Sequence, residues 1–287
     1  MAMRWYLTVF FVAAAVRGHA GVNAELPFRL DRQGSVVVLA RVQGVGPFPF
    51  LLDTGSSHSA ISDDLARELA LAPVARAELQ TSTGRTTIPV VDIEAVSVGA
   101  AISRVQASVL STTALQVIGS KIRGVLGRDF LSARHFTIDY SHRRFRWDDL
   151  GEGLEPDAAG SIRVPLVDQN GRFVVQMAQT DCEPLRFVAD TGSSELVLFE
   201  SDRIARLELS PVSDSPQMML SSLSGSHAVR LMRVSRLAVG GLTLRDRLAV
   251  VLPPASADYS SIDGLLPLHT FRAVSFRQRD GYVLISP

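Results

Sequence analysis

The sequence predicts a mostly β chain of two homologous lobes with few short helices. Three observations predict it. The quintet Asp53-Thr54-Gly55-Ser56-Ser57 returns 137 positions later as Asp190-Thr191-Gly192-Ser193-Ser194, and each copy follows an apolar, strand-like run. Five further landmarks then recur in the same order in both halves, with an offset that drifts by only a few residues. Between landmarks the chain is rich in short β-branched and apolar segments punctuated by Gly and Pro. An ordered self-similarity of this length indicates a duplicated module, and two copies make two lobes rather than a solenoid.

At 287 residues the chain has room for two domains of ordinary size. Hydrophobic residues make up 46% and charged residues 20%, which suits a globular protein with substantial cores. The formal net charge of zero offers no field for a polyanion, so nucleic acid is not an expected partner. The only cysteine is Cys182, so no internal disulfide can brace the fold. Lys121 is the single lysine.

Residues 1–24 read as a secretory signal. Arg4 precedes an apolar run from Trp5 to Val16, and small-residue cleavage sites end at Ala20 and Ala24. The run is too short for a spanning helix, and no other segment could span a bilayer with one. The expected location is periplasmic or secreted, with no stable membrane span once the signal is removed.

The first lobe is expected over residues 25–147. Residues 35–42 read as a strand, 44–49 as a Gly/Pro turn, and Phe50-Leu51-Leu52 as the buried strand that delivers Asp53. Residues 62–69 carry a Ser cap, two acids and leucines at i and i+4, the pattern of a short helix. A hairpin is expected over 79–91 with Thr83-Gly84-Arg85 near its tip, then strands over 93–98 and 105–110. Gly124-Val125-Leu126-Gly127, a short helix over 128–134 and a closing hairpin over 136–147 complete the lobe. Arg128 and Asp129 read as a helix-starting ion pair, and Arg143, Arg144 and Arg146 as a solvated face.

An acidic, Gly- and Pro-containing linker is expected over 148–160. The second lobe, 161–287, repeats the order. Residues 173–177 match the first strand, 201–207 the first helix, 221–227 the hairpin, Gly264-Leu265-Leu266-Pro267 the apolar-Gly segment, and 273–285 the closing hairpin.

Asp-Thr-Gly-Ser after an apolar strand, a glycine-tipped hairpin downstream, then an apolar-apolar-Gly segment resembles the aspartic peptidases of the pepsin/retropepsin clan. The module size is similar to retropepsin units, so the chain after the signal resembles a bacterial tandem retropepsin-like protein. The resemblance implies two β-barrel lobes about a pseudo-twofold axis, with Asp53 and Asp190 paired at that axis as the catalytic residues. It implies support from Thr54 and Thr191, bonding across the axis, from Gly55 and Gly192, allowing close backbone approach, and from Ser56 and Ser193, donating to the outer carboxylate oxygens. It implies a flap over the substrate from Thr83, Gly84 and Arg85 and from Ser224, Gly225 and Ser226. Flaps of the pepsin type carry a Tyr, which neither hairpin here has.

The chemistry follows from the residue types. Two carboxylates in contact cannot both ionise cheaply, so one keeps a proton and the pair titrates as a unit. The ionised partner draws a proton from water as the water attacks a peptide carbonyl, and the protonated partner donates to the carbonyl oxygen. No metal or other cofactor is needed. Hydroxyl donors at Ser56 and Ser193 would lower the carboxylate pKa values and shift activity toward acid. The expected activity is that of an exported aspartic endopeptidase, acting as a monomer on extended polypeptide. The alternatives are a catalytically silent pepsin-like module that binds peptides or envelope proteins, and an obligate dimer in which each lobe pairs with a lobe of another chain. Intact quintets in both halves favour an enzyme, and covalent linkage of the halves favours an internal pair. No His-Glu-x-x-His, paired-Cys or Gly-x-Ser-x-Gly pattern supports a zinc or serine hydrolase. His58 reads as a loop residue near the cleft rim. Pro267, standing where the first lobe has Gly127, is the expected source of any inequality between the two aspartates.

Overall fold

The computed structural model describes residues 25–31, 34–81, 84–119, 121–148, 160–179, 182–212, 218–222, 225–254 and 261–287. Residues 1–24, the expected signal, and 149–159, most of the expected linker, lie outside the described residues. The described chain is overwhelmingly β, with three short α-helices among those residues.

Each lobe is built on the same crossing of three strands. In the first lobe, strand Val45–Leu52 runs parallel to Gly124–Leu126, which in turn pairs antiparallel with Ala60–Ser62. In the second, Cys182–Asp190 runs parallel to Gly264–Pro267, which pairs antiparallel with Leu196–Phe199. The apolar runs noted in the sequence are these central strands, covered on both faces and therefore continuous rather than alternating. The crossing leaves no room for a side chain where the strands meet. A Cβ on Gly124 would lie 2.2 Å from the Phe50 ring, and one on Gly264 would lie 2.1 Å from the Val197 carbonyl oxygen.

The hairpins stand in both lobes. Pro73–Thr81 pairs with Gly84–Val98, closing at Thr81 and Gly84, and Met218–Ser222 pairs with Gly225–Val239, closing at Ser222 and Gly225. Thr83 and Ser224 lie outside the described residues. Gly84, Arg85, Gly225 and Ser226 are the first strand residues after each tip.

The lobes are joined by a sheet that sequence reasoning did not foresee. The two closing hairpins, His135–Asp139 with Arg144–Asp148 and Ala273–Arg277 with Tyr282–Ser286, pair edge to edge through His135–Asp139 and Ala273–Arg277. Glu25–Pro27 extends the sheet at one end and Ile162–Gln169 at the other, so each half supplies three strands. Its core face is aromatic. Phe136 and Phe276 stack at 4.6 Å across the junction, Phe145 meets Trp147 edge-on at 4.8 Å, and the Trp147 indole N–H donates to the Val98 carbonyl at 2.9 Å. Burying each such ring contributes roughly 1.5–3 kcal/mol. Thr137 and Ser275, at matching positions, share a 2.8 Å hydroxyl hydrogen bond.

Four local expectations need correction. Asp148 is not the start of a flexible linker: it ends strand Arg144–Asp148, is buried, accepts from Arg146 at 2.6 Å and from Thr137 at 2.7 Å, and lies 3.3 Å from buried Arg277 of the other half. Arg146 is accordingly paired rather than simply solvated. The helix expected over 201–207 is a single 3-10 turn, Ile204–Arg206. In the first lobe Asp63 and Asp64 open helix Asp63–Glu68. In the second, Arg203 stands at the N-terminal end, where a cation opposes the helix dipole, and is drawn to buried Asp263 at 3.2 Å. The helix expected over 128–134 ends at Leu131.

Candidate active site

Asp53 and Asp190 are delivered by the central strands to the seam between the lobes. The Asp53 amide donates to the Leu126 carbonyl at 2.9 Å, and Asp190 pairs in register with Pro267. Past each aspartate the chain turns back over its own carboxylate. Asp53 Oδ1 accepts from the amides of Gly55 at 2.8 Å and Ser56 at 3.1 Å. Asp190 Oδ1 accepts from those of Gly192 at 2.7 Å and Ser193 at 3.2 Å.

The two loops are pinned together by their threonines. The Thr54 amide donates to Thr191 Oγ1 at 3.0 Å, and the Thr191 amide donates to Thr54 Oγ1 at 3.0 Å. Each hydroxyl then donates onward, Thr54 to the Ala189 carbonyl at 2.6 Å and Thr191 to the Leu52 carbonyl at 2.5 Å. Both threonines are buried.

The glycines set the spacing of the carboxylates. A Cβ on Gly55 would lie 2.6 Å from Asp190 Cγ, and one on Gly192 would lie 2.9 Å from Asp53 Cγ. Each carboxylate therefore sits against the backbone of the opposite loop, and the two share a hydrogen bond. Burial raises the pKa of Asp53, against the backbone donors of Gly55 and Ser56. Burial and then the charge of Asp53 push Asp190 well above the usual carboxylate range. One proton is thus retained by the pair at pH values where free carboxylates have lost theirs.

The serines do not play the expected part. The Ser56 hydroxyl donates to the His58 carbonyl and that of Ser193 to the Glu195 carbonyl, both at 2.8 Å. The amides of these serines already serve the carboxylates, and their side chains turn back to close the loop. The acid shift inferred from hydroxyl donors therefore loses its basis. His58 is exposed, with Nδ1 2.9 Å from the Ser57 hydroxyl.

Arg128 and Asp129 are not partners. Arg128 pairs with Asp168 of the second lobe at 2.8 Å and lies over the Phe173 ring at 4.9 Å. Asp129 accepts from the Ser59 amide at 3.0 Å and hydroxyl at 2.7 Å, and Ser59 Oγ accepts from the Gly127 amide at 3.1 Å. This lock ties the first aspartate loop to the helix behind it. The second lobe has Leu196, Pro267 and His269 at the three positions, and none can reproduce it. A cavity of about 300 Å³ opens there, lined by Ser194, Glu195, Leu196, Leu266, Pro267 and His269 among others. Pro267 signalled a difference in the sequence; the loss of the whole lock needed the neighbours to be seen. Among the described residues, no group of three or more His, Cys, Asp or Glu could hold a metal ion.

Two β lobes meeting at paired Asp-Thr-Gly loops define the class of the aspartic peptidases. The sequence profile of the aspartyl protease family matches residues 38–130 and 175–269, once in each lobe, and the chain belongs to that family. Among solved structures it is similar to basic 7S globulin from soybean, with a TM-score of 0.55 and 11% identity over 92% of this chain and 94% of that one. It is also similar to the aspartic proteinase from Irpex lacteus, with a TM-score of 0.52 and 10% identity over 92% of this chain and 97% of that one. These likenesses establish the pepsin-like two-lobe fold. No curated protein sequence matches the chain.

Proposed function

We propose that this chain is an exported aspartic endopeptidase in which Asp53 and Asp190 together activate water against a peptide bond. The observation that carries the reading is the carboxylate pair at the seam, each member in contact with the opposite loop and only one able to ionise cheaply. The ionised carboxylate takes a proton from water as it adds to the peptide carbonyl. The other gives its proton to the carbonyl oxygen, and the pair then returns a proton to the leaving amine. The threonine bridge and the amide donors fix both carboxylates before substrate arrives, so little reorganisation is left for the reaction itself.

The hairpins closing at Thr81–Gly84 and Ser222–Gly225 are the proposed flaps. Backbone groups near their tips can pair with an extended peptide in the manner of an added strand. The high pKa of the pair extends activity above the range of an ordinary carboxylate rather than confining it to strong acid. The mature protein is proposed to begin after Ala20 or Ala24, to be periplasmic or secreted, and to act as a monomer.

Digestion of an unstructured protein across pH by wild type, Asp53→Asn and Asp190→Asn tests the mechanism. Each variant is expected to lose about 10²–10⁴-fold in rate, the usual range for removing a general acid or base. Wild-type rates in both variants would overturn it. A wild type that binds peptide but cleaves at no pH would instead make the chain a silent peptide-binding module.

A further inference from the structure

We propose that Arg172 is a positioning residue that makes the two aspartates unequal, holding Asp53 as the ionised member and leaving the proton on Asp190. The inference rests on the reading of the pair as a catalytic dyad, and it names which carboxylate is base and which is acid.

The observation begins with a turn that crosses the seam. Between strands Ile162–Gln169 and Arg172–Gln179 of the second lobe, Asn170 and Gly171 take φ values of 50° and 73°, and the turn docks on the aspartate loop of the first lobe. The Arg128–Asp168 ion pair at 2.8 Å clamps one side of it. On the other, a Cβ on Gly171 would stand 3.1 Å from Ser57 Cβ, four residues beyond Asp53. Arg172 follows directly, only 7% exposed, with one guanidinium nitrogen donating to the Asn170 carbonyl at 3.4 Å. A guanidinium stays charged even when buried.

The first lobe sends the matching turn to the other loop. A Cβ on Gly34, whose φ is 84°, would stand 3.5 Å from the His269 ring, and the buried Ser35 hydroxyl donates to the Gly192 carbonyl at 3.4 Å. Ser35 and Arg172 hold equivalent positions, each 18 residues before the aspartate of its own lobe and each in a turn that docks on the aspartate loop of the other. The turn against the Asp53 loop therefore carries a buried cation, and the turn against the Asp190 loop carries a neutral hydroxyl.

On the Ser35 turn, the Asp31 carboxylate accepts from the Ser35 amide at 2.8 Å, so the charge carried there is negative. Beside Asp53, Arg128 and Asp168 pair with each other, Asp129 is occupied by Ser59, and His58 is exposed. Toward Asp190, burial keeps the Tyr140 phenol neutral and lowers the pKa of His269, near which Glu195 lies. Burial raises both aspartates, and on Asp53 the charge of Arg172 adds a downward pull to that of the Gly55 and Ser56 amides. An opposite charge in a water-poor site favours ionisation of the carboxylate nearest it.

Two measurements on wild type, Arg172→Lys and Arg172→Met test the proposal. The first is kcat/KM against pH on a peptide substrate. In Arg172→Met the acid limb is expected to move to higher pH, with about a tenfold loss at the acid end relative to its own plateau, while Arg172→Lys keeps the wild-type limb. The second is a carboxyl ¹³C NMR titration, assigned with Asp53→Asn and Asp190→Asn. It should place the lower step on Asp53 and show that step rising in Arg172→Met. Equal displacement in the Lys and Met variants, an unmoved acid limb in Arg172→Met, or a lower step on Asp190 would overturn the proposal. The titration needs no turnover, so an inactive wild type would remove the dyad reading while the NMR steps still decide where the charge sits.

Discussion

Removing one hydroxyl at the seam should cost as much as opening a well-packed core. In Thr54→Val the shape of the side chain is kept and its Oγ1 is lost. Two buried groups then have no partner in its place: the Ala189 carbonyl, which accepted at 2.6 Å, and the Thr191 amide, which donated at 3.0 Å. An orphaned buried polar group costs about 1–3 kcal/mol, so the pair amounts to about 2–6 kcal/mol. That is a large share of the roughly 5–15 kcal/mol that holds a domain folded. Thr191→Val orphans the Leu52 carbonyl and the Thr54 amide and should cost the same. The two hydroxyls also lie 3.3 Å apart, so the two substitutions share one site. The double variant should therefore depart from the sum of the singles by about 0.5–3 kcal/mol. Urea unfolding followed by fluorescence of buried Trp147 measures all four corners of the cycle. Thr54→Ser, which keeps the donor and acceptor, should stay close to wild type. If Thr54→Ser loses as much as Thr54→Val, or if Thr54→Val loses less than about 1 kcal/mol, the threonine bridge is not what joins the loops.

Gly55→Ala places a methyl 2.6 Å from Asp190 Cγ, whose carboxylate is held by two amides and cannot retreat freely. Displacing a catalytic group by about an ångström costs on the order of 10²-fold, so kcat should fall by at least that much while circular dichroism shows the fold retained. Asp190→Asn should change the pH dependence of stability. The folded pKa of Asp190 is raised, so its contribution is present below the unfolded value of about 3.9 and is lost as pH rises through the folded value. Asparagine mimics the neutral form, so the variant should gain on wild type in thermal midpoint from about pH 4 upward. A constant difference between the two from acid to neutral pH would count against a raised Asp190.

What was legible in the sequence was whatever the chain encodes locally and twice. Apolar runs ending in Asp-Thr-Gly gave the central strands and the loops, and the spacing of Gly124 and Gly264 gave the strands that cross behind them. Helix Thr112–Ile118 was missed because its β-branched residues argue against it. It is held instead by the Ser111 cap on the Ala114 amide and by Thr112 bonding to Asp63 of another element. The partners of Ser56 and Ser193 were misjudged because a hydroxyl beside a carboxylate is chemically able to donate to it. Whether it does depends on which donor reaches first, and here the amides of the same residues do.

The duplication explains the architecture, and departures from it carry the chemistry. Perfectly equivalent lobes would give a pair with no preferred base. Comparison of the two apolar-Gly segments pointed to Pro267 as the source of inequality, because that substitution stands out within a matched segment. Pro267 does remove a lock behind the Asp190 loop, through the neighbouring Leu196 and His269, but it places no charge near either carboxylate. Ser35 and Arg172 differ by a full charge and lie far from the quintets along the chain, in turns whose relation to them exists only after folding. Each turn belongs to one lobe and serves the other. The six-strand junction makes that exchange dependable, since Phe136 on Phe276 and Asp148 on Arg277 fix how far each turn reaches across the seam.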